Sequence, residues 1–96
     1  MKAEFLQPAA LEAEEAKNFY DMRQSGLGTE FRIELDAALG RIEKMPLGWP
    51  LIDVELRKCR FNRFPYKLIY AVETNRIIIV AVAHDRRRPN YWRDRT

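Results

Sequence analysis

The chain has 96 residues, of which 47% are hydrophobic and 32% are charged. This length supports one compact domain over residues 1–96 and excludes a second one, and the composition is typical of neither disordered nor fibrous proteins. No apolar run reaches the roughly 20 residues of a membrane helix, and the N-terminus lacks an apolar stretch of signal-peptide length. We therefore expect a cytoplasmic protein without membrane contact.

The positive charge is concentrated in the second half of the chain. Residues 1–55 contain 11 acidic and 6 basic side chains, a net charge of −5, whereas residues 56–96 contain 3 acidic and 11 basic side chains, a net charge of +8. A half this basic attracts a polyanion or an acidic peptide through its summed potential. A solvated basic surface without a partner would have the same composition, because charged residues are mostly exposed.

The first part of the chain predicts a short strand and then a helix. Lys2 to Leu6 is the strand, and Pro8 stands where the first turn of a helix tolerates a missing N–H. Small and aromatic residues then recur at helical spacing, until a turn that contains two glycines interrupts them. The inward residues of this helix are Ala9, Ala13, Ala16 and Tyr20, the outward ones are Glu12, Glu14, Glu15 and Lys17, and the turn is Ser25, Gly26, Leu27 and Gly28.

A second helix with a clearer apolar period follows, and we expect Thr29 to cap it and Pro46 to stop it. Gly40 inside the helix predicts a slight bend or, as the favoured reason, close approach of a neighbouring segment, since glycine costs a helix about 1 kcal/mol relative to alanine. Trp49 is expected to fold back over the helix end, so that the two helices form a hairpin. The apolar stripe consists of Phe31, Leu35, Ala38, Leu39, Ile42 and Met45.

The remainder of the chain predicts a sheet, because the apolar period changes from helical to alternating. The last strand is apolar without alternation, as expected for a central strand covered on both faces. It forms a hairpin with its predecessor around Thr74 and Asn75. The predicted strands are Leu56 to Phe61, Tyr66 to Glu73 and Ile77 to Ala83.

Basic residues cluster on the first two of these strands. Lys58 and Arg60 are two residues apart, so they share a strand face at a spacing of about 7 Å, which suits successive phosphates. With Arg57, Arg63 and Lys67 they make five bases and no acid within eleven residues. Because this set contains no acidic residue, its members cannot form ion pairs with one another, and the pattern favours anion binding over a purely solubilising role.

The end of the last strand carries a further set of candidate residues. Histidine is the side chain whose ordinary pKa lies near neutrality, so His84 is a candidate for proton exchange, although a structural histidine also fits this position. The three arginines that follow, Arg86, Arg87 and Arg88, are suited to bidentate phosphate contact or to pairing with the carboxylates of a partner.

Two aromatic residues lie among the arginines of the tail, a combination that stacks bases while cations hold the backbone. Trp92 is more simply explained as an anchor that fixes the tail to the core. Tyr91 is the more open candidate, yet its pKa, ordinarily near 10, would need lowering for work as a base.

Motifs of most enzyme classes are missing from the sequence. It contains no glycine-rich phosphate loop, metal-ligand spacing, Ser/His/Asp set or CxxC. The single cysteine, Cys59, forms no internal disulfide, offers no ligand cluster and is expected to be a buried thiol. We therefore expect neither a metal nor a cofactor.

Taken together, the strand-end segments resemble the RelE/ParE superfamily, the toxins of type II toxin–antitoxin modules. The resemblance rests on RFPYKLIY at residues 63–70, on the apolar strand at 77–83 and on HDRRRPNYW at 84–92. It implies an α+β fold with a twisted, mainly antiparallel sheet, joined by the N-terminal strand, and a helical hairpin packed on one face. It also implies a cognate antitoxin whose often acidic segment wraps the toxin, in a hetero-oligomer that binds operator DNA through the antitoxin.

The superfamily has branches with different targets. RelE-like members cleave mRNA on the ribosome without a metal, whereas ParE-like members inhibit DNA gyrase and show no nuclease activity. RNA cleavage needs a base, cations that stabilise the phosphorane and an acid for the leaving oxygen. Carried over by position, the resemblance implies transition-state stabilisation by Lys58, Arg60 and Arg86, with proton transfer by His84 or Tyr91.

Substrate contacts in this hypothesis come from Lys67, Arg63, Arg87 and Arg88. The basic array favours metal-independent mRNA cleavage, with gyrase inhibition as the alternative and an inactive nucleic-acid or peptide-binding module as a third possibility. The hypothesis requires that cationic side chains from separate C-terminal segments gather in one concave pocket.

Overall fold

A helical hairpin packs on one face of a four-stranded sheet in the computed structural model, which describes residues 1–95. The elements in chain order are β1 (Lys2–Phe5), α1 (Gln7–Arg23), α2 (Leu27–Lys44), β2 (Leu56–Arg60), β3 (Tyr66–Val72), β4 (Arg76–His84) and a short 3-10 helix (Arg93–Arg95). The sheet order is β1-β4-β3-β2, with β1 parallel to β4 and the other pairs antiparallel. Within this described part of the chain, neither helix is long and apolar enough to span a membrane. The predicted α+β architecture is confirmed.

Apolar layers on both faces bury the central strand β4. On the helix-bearing face, Phe31 and Leu35 of α2 pack against inward residues of the sheet. On the opposite face, Val80 and its neighbours pack against Trp92 of the tail, which is 5% exposed. The continuous apolar run of β4 therefore follows from burial on two sides, and the predicted anchoring role of Trp92 is confirmed.

The ends of α2 differ from the prediction at two positions. The residue before the helix is Gly26, which has a φ of 88° and provides no side-chain cap, while Thr29 lies inside the first turn. Glycine is favoured there because other residues strain at positive φ. Met45 lies just beyond the helix and is 61% exposed, so it does not belong to the apolar stripe. Trp49 does fold back, and its indole N–H donates to the carbonyl oxygen of Arg41 at 3.3 Å.

Gly28, and not Gly40, is the glycine that close helix packing requires. A Cβ atom at Gly28 would overlap the carbonyl oxygen of Lys17 and lie 2.5 Å from Cγ of Asp21. The Gly28 N–H also donates to Oδ1 of Asp21 at 2.7 Å, which fastens the start of α2 to α1. A Cβ at Gly40 would meet no atom within 4 Å. The prediction for Gly40 is wrong because this residue lies on the exposed side of α2.

Alanine substitutions at these two glycines are expected to have opposite effects on stability. Gly28→Ala should lower the free energy of unfolding by about 2 kcal/mol, because α1 and α2 must separate to admit the methyl group. Gly40→Ala should raise it by about 1 kcal/mol through helix propensity alone. Urea unfolding followed by circular dichroism measures both, and a destabilised Gly40→Ala or an unaffected Gly28→Ala variant would contradict the packing described.

Candidate functional site

At one corner of the sheet, β2 and β4 end and β3 begins, which brings Arg60, Lys67 and Asp85 together. Arg60 ends β2 and pairs across the sheet with Lys67 of β3, and Asp85 directly follows β4. Two guanidinium nitrogens of Arg60 donate to the two carboxylate oxygens of Asp85 at 3.0 and 2.6 Å, and Nζ of Lys67 lies 3.7 Å from Oδ1. Two of the predicted cations therefore converge, and they do so around a carboxylate.

Asp85 is held in its ionised form by this arrangement. The hydrogen bonds from Arg60 lower the pKa of Asp85, burial opposes this effect, and Lys67 adds to the lowering. Because the folded-state pKa lies below the unfolded value of about 3.9, the ion pair stabilises the fold above that pH and is lost as the pH falls through the folded-state pKa. At neutral pH, Asp85 therefore neutralises part of the cationic cluster.

Four of the predicted cations make no ion pair within residues 1–95, namely Arg57, Lys58, Arg86 and Arg88. The Arg57 guanidinium is occupied by the backbone carbonyls of Leu47 and Trp49, which leaves the other three. Lys58 is half-buried and shares a strand face with Arg60, as its position two residues earlier dictates. The two arginines are exposed in the turn that follows β4. These three side chains are the ones available to an anionic partner.

His84 lies on the opposite, helix-bearing face of the sheet. Val82, two residues earlier on β4, belongs to the cluster under the helices, and the ring of His84 packs edge-on against Tyr66 at 5.0 Å. Both line a cleft of about 320 Å³ beside Phe19 of α1. The backbone N–H of Arg86 donates to Nδ1 of His84 at 2.9 Å, so the neutral ring carries its proton on Nε2 and its accepting nitrogen is already occupied. His84 therefore does not share a face with the Arg60–Lys67 cluster.

Tyr91 is bound to Glu12 of α1, at the edge of β4. Its hydroxyl donates to Oε2 of Glu12 at 2.7 Å, and two terminal nitrogens of Arg95 donate to the same carboxylate at 2.9 Å each. The backbone N–H of Val82 completes the set at 3.0 Å. Burial and the hydrogen bond to Glu12 raise the pKa of Tyr91, which is the opposite of what a tyrosine base requires.

The other two predicted cations each have a partner elsewhere. Arg63 pairs with Glu30 of α2, on the helix side of the molecule. Arg87 lies over the ring of Tyr91, with Cζ 3.9 Å from the ring centroid, and its guanidinium is 4.0 Å from the carboxylate of Glu12. Arg60 and Lys67 therefore lie together at Asp85, whereas Arg63 and Arg87 do not join them.

Sequence reasoning missed two carboxylates that organise these groups. The prediction that Glu12 faces outward is wrong, since its side chain is 11% exposed. Glu12 lies three residues after Ala9 and four before Ala16, both buried, so the helical period itself places it on the inner face. No periodic pattern pointed to Asp85. The only signal in the sequence was that a single acidic residue directly precedes three arginines.

Comparison with solved structures shows a likeness in fold. No protein-family model matches the chain, and no curated protein matches its sequence. The chain is similar to a chain from the chromosomal ParDE TA system of P. aeruginosa, with a TM-score of 0.77 and 14% sequence identity. The similarity covers 88% of this chain and 95% of that chain. At this identity it shows the fold, and the predicted RelE/ParE-like fold is thereby confirmed.

Proposed function

We propose that this protein is the toxin of a type II toxin–antitoxin pair. The fold likeness to a chain of the ParDE system supports the proposal, as does the net charge of +8 over residues 56–96, which complements an acidic antitoxin segment. The partner in this proposal is a cognate antitoxin, and the pair binds operator DNA through it. The site of action is the cytoplasm.

Within this proposal the toxin acts by binding, as ParE-like gyrase inhibitors do, and does not cut RNA. The observation that carries this choice is the separation of the nuclease candidates. Arg60 and Lys67 are tied to Asp85 on one face, His84 lies on the other face, and Tyr91 is bound to Glu12. Cleavage would need a base and the phosphate-stabilising cations around one phosphate.

Ribosome-dependent mRNA cleavage is the second candidate function. It is favoured by three cations without ion pairs within residues 1–95, Lys58, Arg86 and Arg88. In this mechanism Arg86 stabilises the phosphorane. His84 acts as the base through Nδ1, after the bound RNA has rearranged the end of β4 and broken the hydrogen bond that Nδ1 accepts from Arg86. An inactive binding module on the same fold is the third outcome that an experiment can give.

Induced expression in a bacterial host, with and without the antitoxin, tests these functions together. We expect growth arrest, inhibition of plasmid supercoiling by gyrase when the purified protein is added, and intact transcripts. Arg86→Ala should relieve the arrest and weaken gyrase inhibition about tenfold, because it removes an exposed charge that has no ion-pair partner within residues 1–95. The substitution should change the stability of the fold only slightly. Arg76→Ala is the matched control, because Arg76 lies at the other end of β4 and is paired with Glu73.

The alternatives give separate results in the same experiment. If the transcripts were fragmented and supercoiling were unaffected, the proposed function would be mRNA cleavage and not gyrase inhibition. Normal growth of cells that accumulate the folded protein would end the toxin proposal. Full toxicity of a well-expressed Arg86→Ala variant would remove Arg86 from the mechanism.

A further inference from the structure

The end of the sheet opposite Asp85 carries a groove that the proposed function does not use. Two adjoining clefts of about 380 and 350 Å³ form this distal groove, and both are lined by the segment that leads into β2. It lies near the start of β2 and β4, whereas Arg60 and Asp85 lie where these strands end. The residues common to the two clefts are Val54, Glu55, Ala71 and Glu73.

Large apolar side chains are exposed in the distal groove. Leu47, Leu51 and Val54 line the same cleft and are 68%, 55% and 89% exposed. Single apolar residues are common on a protein surface, but three in one cleft form a patch, and such patches mark interaction sites. Ala71 and Leu56 extend the apolar lining into the adjoining cleft. The groove therefore offers an apolar contact area that residues 1–95 leave uncovered.

Hydrogen bonds hold the wall of the distal groove in place. The Arg57 guanidinium donates to the carbonyl oxygens of Leu47 and Trp49 at 3.1 and 2.7 Å. The N–H of Ile52 donates to the carbonyl oxygen of Leu56 at 2.8 Å, which ties the segment to the start of β2. The wall is therefore ordered before a ligand arrives, and this lowers the entropy cost of binding.

Acidic side chains predominate around the distal groove. Glu55 and Asp94 make no ion pair within residues 1–95. A rim of this charge disfavours nucleic acid and anionic membranes and attracts a cation. The charged lining residues are four carboxylates and two guanidiniums, those of Asp53, Glu55, Glu73, Asp94, Arg57 and Arg93.

We propose that the distal groove binds a basic amphipathic segment of a protein partner, with an apolar side chain against Val54 and cations at Glu55 and Asp94. The exposed apolar residues supply the contact area, and the unpaired carboxylates select the charge of the partner. An acidic antitoxin segment is not attracted to this end of the sheet, so both partners can bind at the same time. The inference does not rest on the toxin proposal, since it needs neither gyrase nor RNA cleavage.

Two-dimensional 1H–15N NMR of the full chain tests the site, with an amphipathic leucine–lysine peptide as the probe. The amide signals of residues 53–56 and 71–73 should shift saturably, and those of residues 86–88 at the other end of the sheet should stay in place. Hexalysine carries the charge without apolar side chains, and a leucine–glutamate peptide of the same pattern carries the opposite charge. Each of these control peptides should bind about tenfold more weakly.

Two pairs of variants separate the groove from general surface properties. Val54→Ser should weaken binding of the leucine–lysine peptide about fivefold, because it removes apolar contact area. Ile33→Ser, at a residue of α2 that is 62% exposed, should leave binding within about twofold. Glu55→Gln should weaken binding about threefold, as expected for an exposed ion pair, and Glu14→Gln, which removes an exposed acid of α1, should leave it within about twofold.

Four results would overturn the proposal. If hexalysine bound as tightly as the leucine–lysine peptide, charge alone would explain the binding, and if the leucine–glutamate peptide did so, the carboxylates would have no part in it. Shifts of the same signals on raising the protein concentration without peptide would replace the partner by a second copy of the chain. Shifts confined to the helices, or no shift with any peptide, would leave the groove without this ligand.

Discussion

Replacement of Glu12 by glutamine is expected to lower the free energy of unfolding by about 3 kcal/mol, because it leaves the charge of Arg95 without its partner in a largely buried position. The side chains of Glu12 and Arg95 are only 11% and 18% exposed. Glutamine retains the size and one acceptor oxygen of glutamate, so the loss reports the charge and the second acceptor. Urea unfolding at neutral pH measures it against Glu14→Gln, an exposed residue for which a change within about 0.5 kcal/mol is expected.

The expected loss of stability is large because Glu12 and Arg95 bind backbone groups of β4 that no neighbouring strand covers. β1 pairs with β4 only from Arg76 to Ile79, so the edge of β4 is uncovered beyond that point. Glu12 accepts from the N–H of Val82, and Arg95 donates to the carbonyl of Val80 at 3.1 Å. Side chains thus satisfy backbone groups that a longer β1 would otherwise bind, and buried backbone groups left unpaired are costly.

A second measurement shows whether the effect is local. In Glu12→Gln, amide hydrogen exchange should accelerate most at residues 91–95 and at the second half of β4, because the tail loses its anchor to α1. If unfolding free energy and exchange both matched those of the wild-type protein, the Glu12–Arg95 pair would have no part in holding the tail.

Most of the fold was predictable because its signals are local or periodic. The four predicted strands end within one residue of those observed, since alternation and apolar runs reflect burial directly. The continuous apolar stretch of β4 correctly indicated cover on both faces. Trp92 was predictable as an anchor because a large aromatic side chain in a charged tail gains most by burying its apolar surface against the core.

The glycines show where this reasoning fails. Gly28 and Gly40 both lie in α2, and nothing in their local sequence tells which one touches α1. The close approach at Gly28 depends on the turn between the helices, in which Gly26 has a φ of 88°. Such contacts between segments follow from tertiary geometry and not from periodicity.

The candidate site was harder to predict than the fold for a related reason. A strand pattern tells which residues share a face, and it correctly grouped Lys58 with Arg60. It does not tell which acid reaches that face from outside the strands, and Asp85 comes from the turn after β4. An array of cations in sequence is therefore a weaker indication of a free anion site than the same array in a structure.

Asp85 gives the second large expected effect. In Asp85→Asn, the guanidinium of Arg60 and the amine of Lys67 lose the carboxylate that now neutralises them. We expect the affinity for a single-stranded RNA oligonucleotide to rise roughly tenfold at low salt, as one to two phosphate contacts are added. Fluorescence anisotropy at several salt concentrations measures this, and the slope of log K against log salt should steepen by about 0.7 for each added contact.

Asp94→Asn is the matched control for this experiment. It changes the net charge by the same amount, but Asp94 is exposed in the 3-10 helix and makes no ion pair within residues 1–95. A gain confined to Asp85→Asn and abolished in the double variant Arg60→Gln/Asp85→Asn would locate the effect at the corner of the sheet. Equal gains in both single variants would mean that net charge alone is responsible.

The stability of Asp85→Asn bears on the interpretation of that gain. The side chains of Arg60 and Asp85 are 52% and 31% exposed, so loss of the pair should cost no more than about 1 kcal/mol and leave the fold intact. Should the variant bind RNA tightly and still leave mRNA uncut in the presence of ribosomes, the cations would be free while His84 remained on the other face of the sheet. The absence of cleavage would then follow from the position of the base and not from the charge of the phosphate site.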